Sequence, residues 1–145
     1  MSRIVLLLSG PNLSQLGTRQ PEIYGTTTLA DIVELASKRA ATFDLDVEHL
    51  QSEHEGDLVS AIHSARNRVD AIVINPGALT HYGWSLHDAL AMFEGPIIEV
   101  HLSNTASREA WRHTSVVSPV ATGTITGLGA TGYELAIDAV AAKLG

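Results

Sequence analysis

"RIVLLLSGPN", residues 3–12, decides the fold. An unbroken apolar run from Ile4 to Leu8 is stopped by Ser9, Gly10 and Pro11. A strand buried on one face alternates apolar and polar residues, whereas a strand covered on both faces reads as a continuous apolar run. The stretch is therefore predicted to be a central strand of a parallel sheet. The run is far too short to span a bilayer. With only Arg3 as a charge before it and Pro11 soon after, it does not read as a signal peptide either. The expectation is a cytoplasmic protein with no membrane partner.

Working outward, strands and helices alternate. "TLAD" (28–31) has the form of a capping box, and it opens a helix with Leu29, Ile32, Val33, Leu35 and Ala36 on its apolar side. "LDVEHLQ" (45–51) is predicted as a strand, and 55–69 as a helix with Leu58, Val59, Ile62 and Ala65 at helical spacing. "AIVINPG" (71–77) is a third strand stopped by Asn75-Pro76-Gly77. A helix follows over 84–93, with Gly95-Pro96 punctuating its end. "IIEVHLS" (97–103) is a fourth strand, a fifth falls within 115–127, and residues 132–144 close the chain as a helix. Such alternation implies a parallel α/β sheet with helices on both faces. With no repeat, low-complexity segment or linker, residues 1–145 are expected to form a single domain.

Composition narrows the function. Apolar residues make up 45% and charged residues 17% of the chain, which excludes disorder. Cysteine is absent, so disulfides, a thiolate nucleophile and cysteine metal sites are excluded. A net charge of −7 leaves no basic footprint for nucleic acid. An anionic ligand must rely on a few local donors, and Arg19, Arg108 and Arg112 fall in predicted loops. The histidines (His49, His54, His63, His81, His87, His101 and His113) show no metal-ligand spacing, so no metal site is expected.

In open α/β sheets ligands bind at the carboxyl ends of the strands, and polar residues accumulate at those ends here. In "IIEVHLSN" (97–104), Glu99, His101 and Ser103 share one face of a strand. Glu99 can reach the near imidazole nitrogen and favour imidazolium, leaving the far nitrogen as a general acid. The competing reading is a pair that only satisfies buried polarity; at a strand's carboxyl end the two stand even. A nucleophilic Ser103 lacks the G-x-S-x-G elbow. Residues 9–25 contain neither G-x-x-x-x-G-K nor G-x-G-x-x-G, and their length suggests a lid. Within it, Arg19 near Tyr24 would stabilise a phenolate. A phospho-receiver would need an acidic cluster after strand one and an aspartate ending strand three, where Ser9-Gly10-Pro11 and Asn75 stand.

"GPNLSQLGTRQPEIYG" (10–25), "QSEHEGDLVSAIHSA" (51–65), "IVINPGALTH" (72–81), "IIEVHLSN" (97–104) and "SPVATGTITGLGATGY" (118–133) resemble, in order and spacing, the motifs of type II 3-dehydroquinate dehydratases. The resemblance covers essentially the whole chain. It implies a flavodoxin-like three-layer α/β fold with a five-stranded parallel sheet, no metal or cofactor, and a homo-oligomer, commonly a dodecamer of four trimers. The implied reaction is reversible anti elimination of water from 3-dehydroquinate to 3-dehydroshikimate through an enolate. It serves either aromatic biosynthesis or quinate breakdown.

By the same resemblance, Tyr24 is the base, Arg19 lowers its pKa, and Asn12 stabilises the oxyanion through a water. His101 is the acid and Glu99 orients it. Asn75, the Leu102 and Ser103 N–H groups and the Ser103 hydroxyl hold the carboxylate. His81 and Arg112 hold ring hydroxyls, Asp88 completes a neighbouring subunit's site, and Arg108 serves lid closure. Ser14, Gln15, Glu53, Gly83 and His87 depart from the usual family pattern.

Overall fold

The computed structural model describes residues 2–18, 22 and 25–145. Five strands form one parallel sheet: β1 (Arg3–Ser9), β2 (Leu45–Gln51), β3 (Ala71–Asn75), β4 (Ile97–His101) and β5 (Gly123–Thr126). The long helices are α1 (Leu29–Ala41), α2 (Glu55–Ala65), α3 (Trp84–Ala91) and α4 (Thr131–Leu144). The spatial order β2-β1-β3-β4-β5 is that of a flavodoxin-like sheet, whose strand order reverses between β1 and β3.

The continuous apolar run of β1 is explained by its two covered faces. Val5 and Leu7 pack with Ile32, Ala36 and Ala40 of α1 and with Tyr133, Ile137 and Val140 of α4. The alternate residues Leu6 and Leu8 pack with Leu58 and Ile62 of α2 and Leu86 and Leu90 of α3. β3 is likewise buried along its whole length. β5 buries no residue fully; it is a short edge strand of glycine, threonine and isoleucine, which is why its sequence carries no apolar run. Among the described residues no helix is long and apolar enough to cross a membrane.

Helix boundaries follow local chemistry. Thr28 and Asp31 form both bonds of the capping box on α1, at 3.1 and 3.0 Å. α2 ends at Ala65, earlier than its periodicity predicts, because Arg66 turns extended and Asn67 takes a left-handed conformation (φ 64°). α3 has Gly83 at its cap position and so lacks a capping side chain. Glu55, the first residue of α2, supplies the missing acceptor: its Oε2 receives the Leu86 N–H at 3.0 Å. A side chain at position 83 would meet the Leu79 carbonyl oxygen at 2.7 Å, so the helix is capped from across the layer.

The carboxyl ends of β1 and β3 touch. Ser9 pairs with Asn75 in register, and the Gly10 N–H donates to the Asn75 carbonyl at 2.8 Å. A Cβ at Gly10 would lie 2.2 Å from the Pro76 carbonyl oxygen, so only glycine fits there.

Glu55→Ala is expected to destabilise the protein by about 1 kcal/mol, as loss of a helix cap does. Glu55→Gln, which keeps an acceptor oxygen, should lose less. Urea unfolding followed by circular dichroism measures both, and an alanine variant as stable as wild type would remove Glu55 as the cap.

Candidate active site

The cleft opens at the switch point between β1 and β3, bounded by the segments that follow β1, β3 and β4. Asn12, Asn75, His81, His101, Leu102, Ser103, Arg108 and Arg112 all line it. Its other lining residues are Pro11, Leu13, Gly77, Ala78 and Thr105, so no carboxylate faces it among the described residues. A chain of net charge −7 thus presents two arginines and two histidines to one cleft. That arrangement suits a small anion.

Glu99 lies behind the cleft, fully buried on β4. Its Oε2 accepts from His101 Nε2 at 2.5 Å and from the Thr80 hydroxyl at 2.5 Å. Its Oε1 accepts from the Ser118 hydroxyl at 2.6 Å, and Ser115 Oγ lies 3.1 Å from both oxygens. Ser115 Oγ also accepts from the Val117 and Ser118 N–H groups, which leaves its own proton for the carboxylate. Burial resists ionisation of Glu99, but the hydrogen bonds from His101, Ser118 and Thr80, with the His101 charge, outweigh it. They hold its carboxyl down at about 2, against an ordinary 4.5.

An ionised carboxylate fixes the imidazole. Nε2 must carry a proton to donate to Glu99, so Nδ1 is the nitrogen with no partner among the described residues. His101 is 8% exposed and lines the cleft. The expected pairing of Glu99 with His101 is therefore present, within a cluster of three hydroxyls that sequence reading missed. Thr80, Ser115 and Ser118 sit in turns without periodic pattern, and only their proximity to a buried acid in space reveals them.

The other polar groups are also oriented. His81 Nδ1 donates to the Thr114 carbonyl at 2.6 Å, so its Nε2 is the acceptor when the ring is neutral. Arg112 Nε donates to Glu109 at 2.9 Å while its guanidinium lies 3.9 Å from the centre of the Trp111 ring. Arg108 Nη1 donates to Ser103 Oγ at 3.1 Å. Ser103 thus receives a cation's proton and keeps its own to give.

The predicted lid begins as anchored structure. Leu13–Gln15 form a 3-10 turn, and Leu13 and Leu16 are buried in the core. Asn12 takes a left-handed conformation (φ 70°), and its N–H donates to Glu53 Oε1 at 2.9 Å. That bond and the Gln51 amide hold the Glu53 carboxyl below its ordinary value. Arg19 and Tyr24 lie outside the described residues. Asp88 is exposed on α3 and does not line the cleft. Among the described residues no three histidine, aspartate or glutamate side chains gather to hold a metal ion.

Fold and site together define a class: a flavodoxin-like α/β protein with a cationic cleft and a carboxylate-backed histidine at its floor. A family model, Dehydroquinase class II, matches residues 3–141, and the chain belongs to that family. A 3-dehydroquinate dehydratase of Dinoroseobacter shibae is 51% identical over 140 residues, spanning 97% of this chain and 93% of the relative. A catabolic 3-dehydroquinase of Phaeosphaeria nodorum is 53% identical over 138 residues, spanning 95% and 91%. The crystal structure of type II dehydroquinase from Propionibacterium acnes has a TM-score of 0.93 and 48% identity, with 98% of each chain covered.

The stability that ionised Glu99 contributes is fully present above about pH 4.5 and is lost as pH falls through about 2, because its folded pKa is depressed. Ser118→Ala removes one donor, raises that folded pKa and shrinks the contribution. Its urea midpoint should therefore fall less steeply than wild type between pH 4.5 and 2, with matching slopes between pH 6 and 8. Parallel curves at acid pH would mean that Ser118 does not hold the charge.

Proposed function

We propose that this chain is a hydro-lyase that removes water from 3-dehydroquinate, reversibly and with anti stereochemistry, to give 3-dehydroshikimate. Membership of the family supports the reaction. The single observation in the structure that favours it is His101 at the floor of a cationic cleft, its Nε2 held by an ionised, buried Glu99.

The elimination needs a base, stabilisation of an enolate and an acid. Tyr24 as phenolate takes the proton beside the ketone, and Arg19 makes that phenolate accessible by charge. The C–H electron pair becomes the enolate, whose oxygen Asn12 stabilises through a water. Collapse of the enolate breaks the C–O bond, and His101 gives the departing hydroxyl its proton, so that water leaves. Protonated on both nitrogens, His101 donates from Nδ1 and remains a neutral imidazole on Glu99.

The remaining groups position the substrate. Asn75, the Leu102 and Ser103 N–H groups and the Ser103 hydroxyl hold its carboxylate; Arg108, by donating to Ser103 Oγ, leaves that hydroxyl proton free for the anion. His81 and Arg112 hold ring hydroxyls, each oriented by its own partner outside the cleft. Arg108, which matches the family's loop arginine, serves lid closure. Asp88 completes the site of a neighbouring subunit in a trimer, four of which form a dodecamer. The chain acts as one cytoplasmic catalytic domain, with no cofactor, in aromatic biosynthesis or quinate breakdown.

Purified, chelator-treated protein mixed with 3-dehydroquinate should raise the ultraviolet absorbance of the conjugated product; a folded protein that gives no rise would overturn the assignment. His101→Ala should lower the elimination rate by about 10²–10⁴-fold while retaining exchange of the α-proton into deuterated solvent. Loss of both in a well-folded variant would argue against a role confined to the acid.

A further inference from the structure

Asn75 has an amide whose two ends differ chemically, and its cleft-facing chemistry depends on which way it is turned. The Gly77 N–H lies 3.1 Å from Oδ1 and can only donate, so the oxygen must face it. The amide nitrogen then points the other way, and Nδ2 donates to the Tyr133 hydroxyl oxygen at 2.8 Å. Nδ2 carries two protons, and the second has no partner among the described residues while Asn75 lines the cleft.

Tyr133 reaches Asn75 from α4, on the layer behind the sheet. Its side chain is fully buried, and Asn75 is 3% exposed, so no solvent competes for this bond. Burial pushes the phenol's pKa up, which keeps it a neutral hydroxyl at any pH where the protein works. A tyrosine fully inside an apolar helix–sheet interface otherwise gains nothing from its hydroxyl; phenylalanine would fill the same space.

We infer that Tyr133 is a positioning residue: it and the Gly77 N–H lock the Asn75 amide so that an N–H, never the oxygen, faces the substrate's carboxylate. The inference rests on the proposed role of Asn75 in holding that carboxylate. The lock presents a donor and never an acceptor at this point, which suits a carboxylate, an acceptor only, and disfavours a group that must donate. The carboxylate shares its carbon with the hydroxyl that leaves, so the lock fixes the substrate at the reacting end of its ring.

Tyr133→Phe is therefore expected to raise KM by about two- to tenfold, the span of one neutral hydrogen bond. Asn75→Ala should raise KM at least as much, and the double variant should be no worse than Asn75→Ala alone. An unchanged KM in Tyr133→Phe beside a raised KM in Asn75→Ala would overturn the inference and leave the carboxylate reading intact. An unchanged KM in Asn75→Ala would overturn that reading itself. A Tyr133→Phe effect that persists undiminished in the Asn75→Ala background would mark a purely structural role.

Wild-type protein with nitrogen-15 asparagine provides a test that needs no variant. On binding the product 3-dehydroshikimate, one Asn75 side-chain proton should shift and its geminal partner, held on Tyr133, should stay. Equal movement of both protons, or of neither, would count against the lock.

Discussion

A fully buried carboxylate on a central strand is the constraint on which the site depends. Removing one partner of a buried charge leaves an uncompensated ion, which typically costs about 3–5 kcal/mol. Glu99 tolerates its position because His101, Thr80, Ser115 and Ser118 all direct protons at it. These donors come from three parts of the chain: β4 itself, the turn after β3, and the segment before β5. One charge therefore ties three segments together, and it dictates which nitrogen of His101 is left for the cleft. Stability and chemistry here share the same bonds. No buried side-chain nitrogen or oxygen among the described residues lacks a hydrogen-bond partner, so the polar centre is as fully satisfied as the apolar layers around it.

The same economy governs the cleft's outer groups. His81, Arg112 and Ser103 each use one side of their hydrogen-bonding capacity on a protein partner. What remains is a defined donor or acceptor, in place of a side chain that must choose. Preorganisation of this kind lowers the ordering cost when a ligand binds. It also reconciles an acidic chain with an anionic ligand, since the arginines are local and oriented while the acids, Glu99 and Glu109 among them, stand behind them.

β1 and β3 were legible because buried parallel strands are apolar with little interruption; β2, an edge strand in which only Leu45 is buried, and β4, which carries Glu99 and His101, were found from their place in the strand–helix alternation. β5 could only be bracketed within 115–127, since Gly123–Thr126 is a half-exposed edge strand without that signal. The α1 capping box was legible as a local pattern, whereas the cap on α3 was not, because Glu55 lies on another helix. Similarly, alternation along β4 puts Glu99 and His101 on one face, and the structure joins them at 2.5 Å. The hydroxyls of Thr80, Ser115 and Ser118, the Glu53 bond to Asn12 and the Tyr133 bond to Asn75 all link distant residues. No spacing rule reaches them. Arg19 and Tyr24, which the family resemblance singles out, lie outside the described residues.

The contact between Gly10 and Pro76 has a meaning for how such a site can diversify. Beside the cleft-lining Pro11, Asn75 and Gly77, the two strand ends meet main chain against main chain, with no side chain to exchange. Drift in sequence can therefore alter the walls, the rim and the charges of the cleft, but it cannot extend the cleft between these strand ends without separating two strands. A lineage that needed a larger ligand would have to widen the mouth instead, so variation in size preference belongs to the loops and not to the sheet.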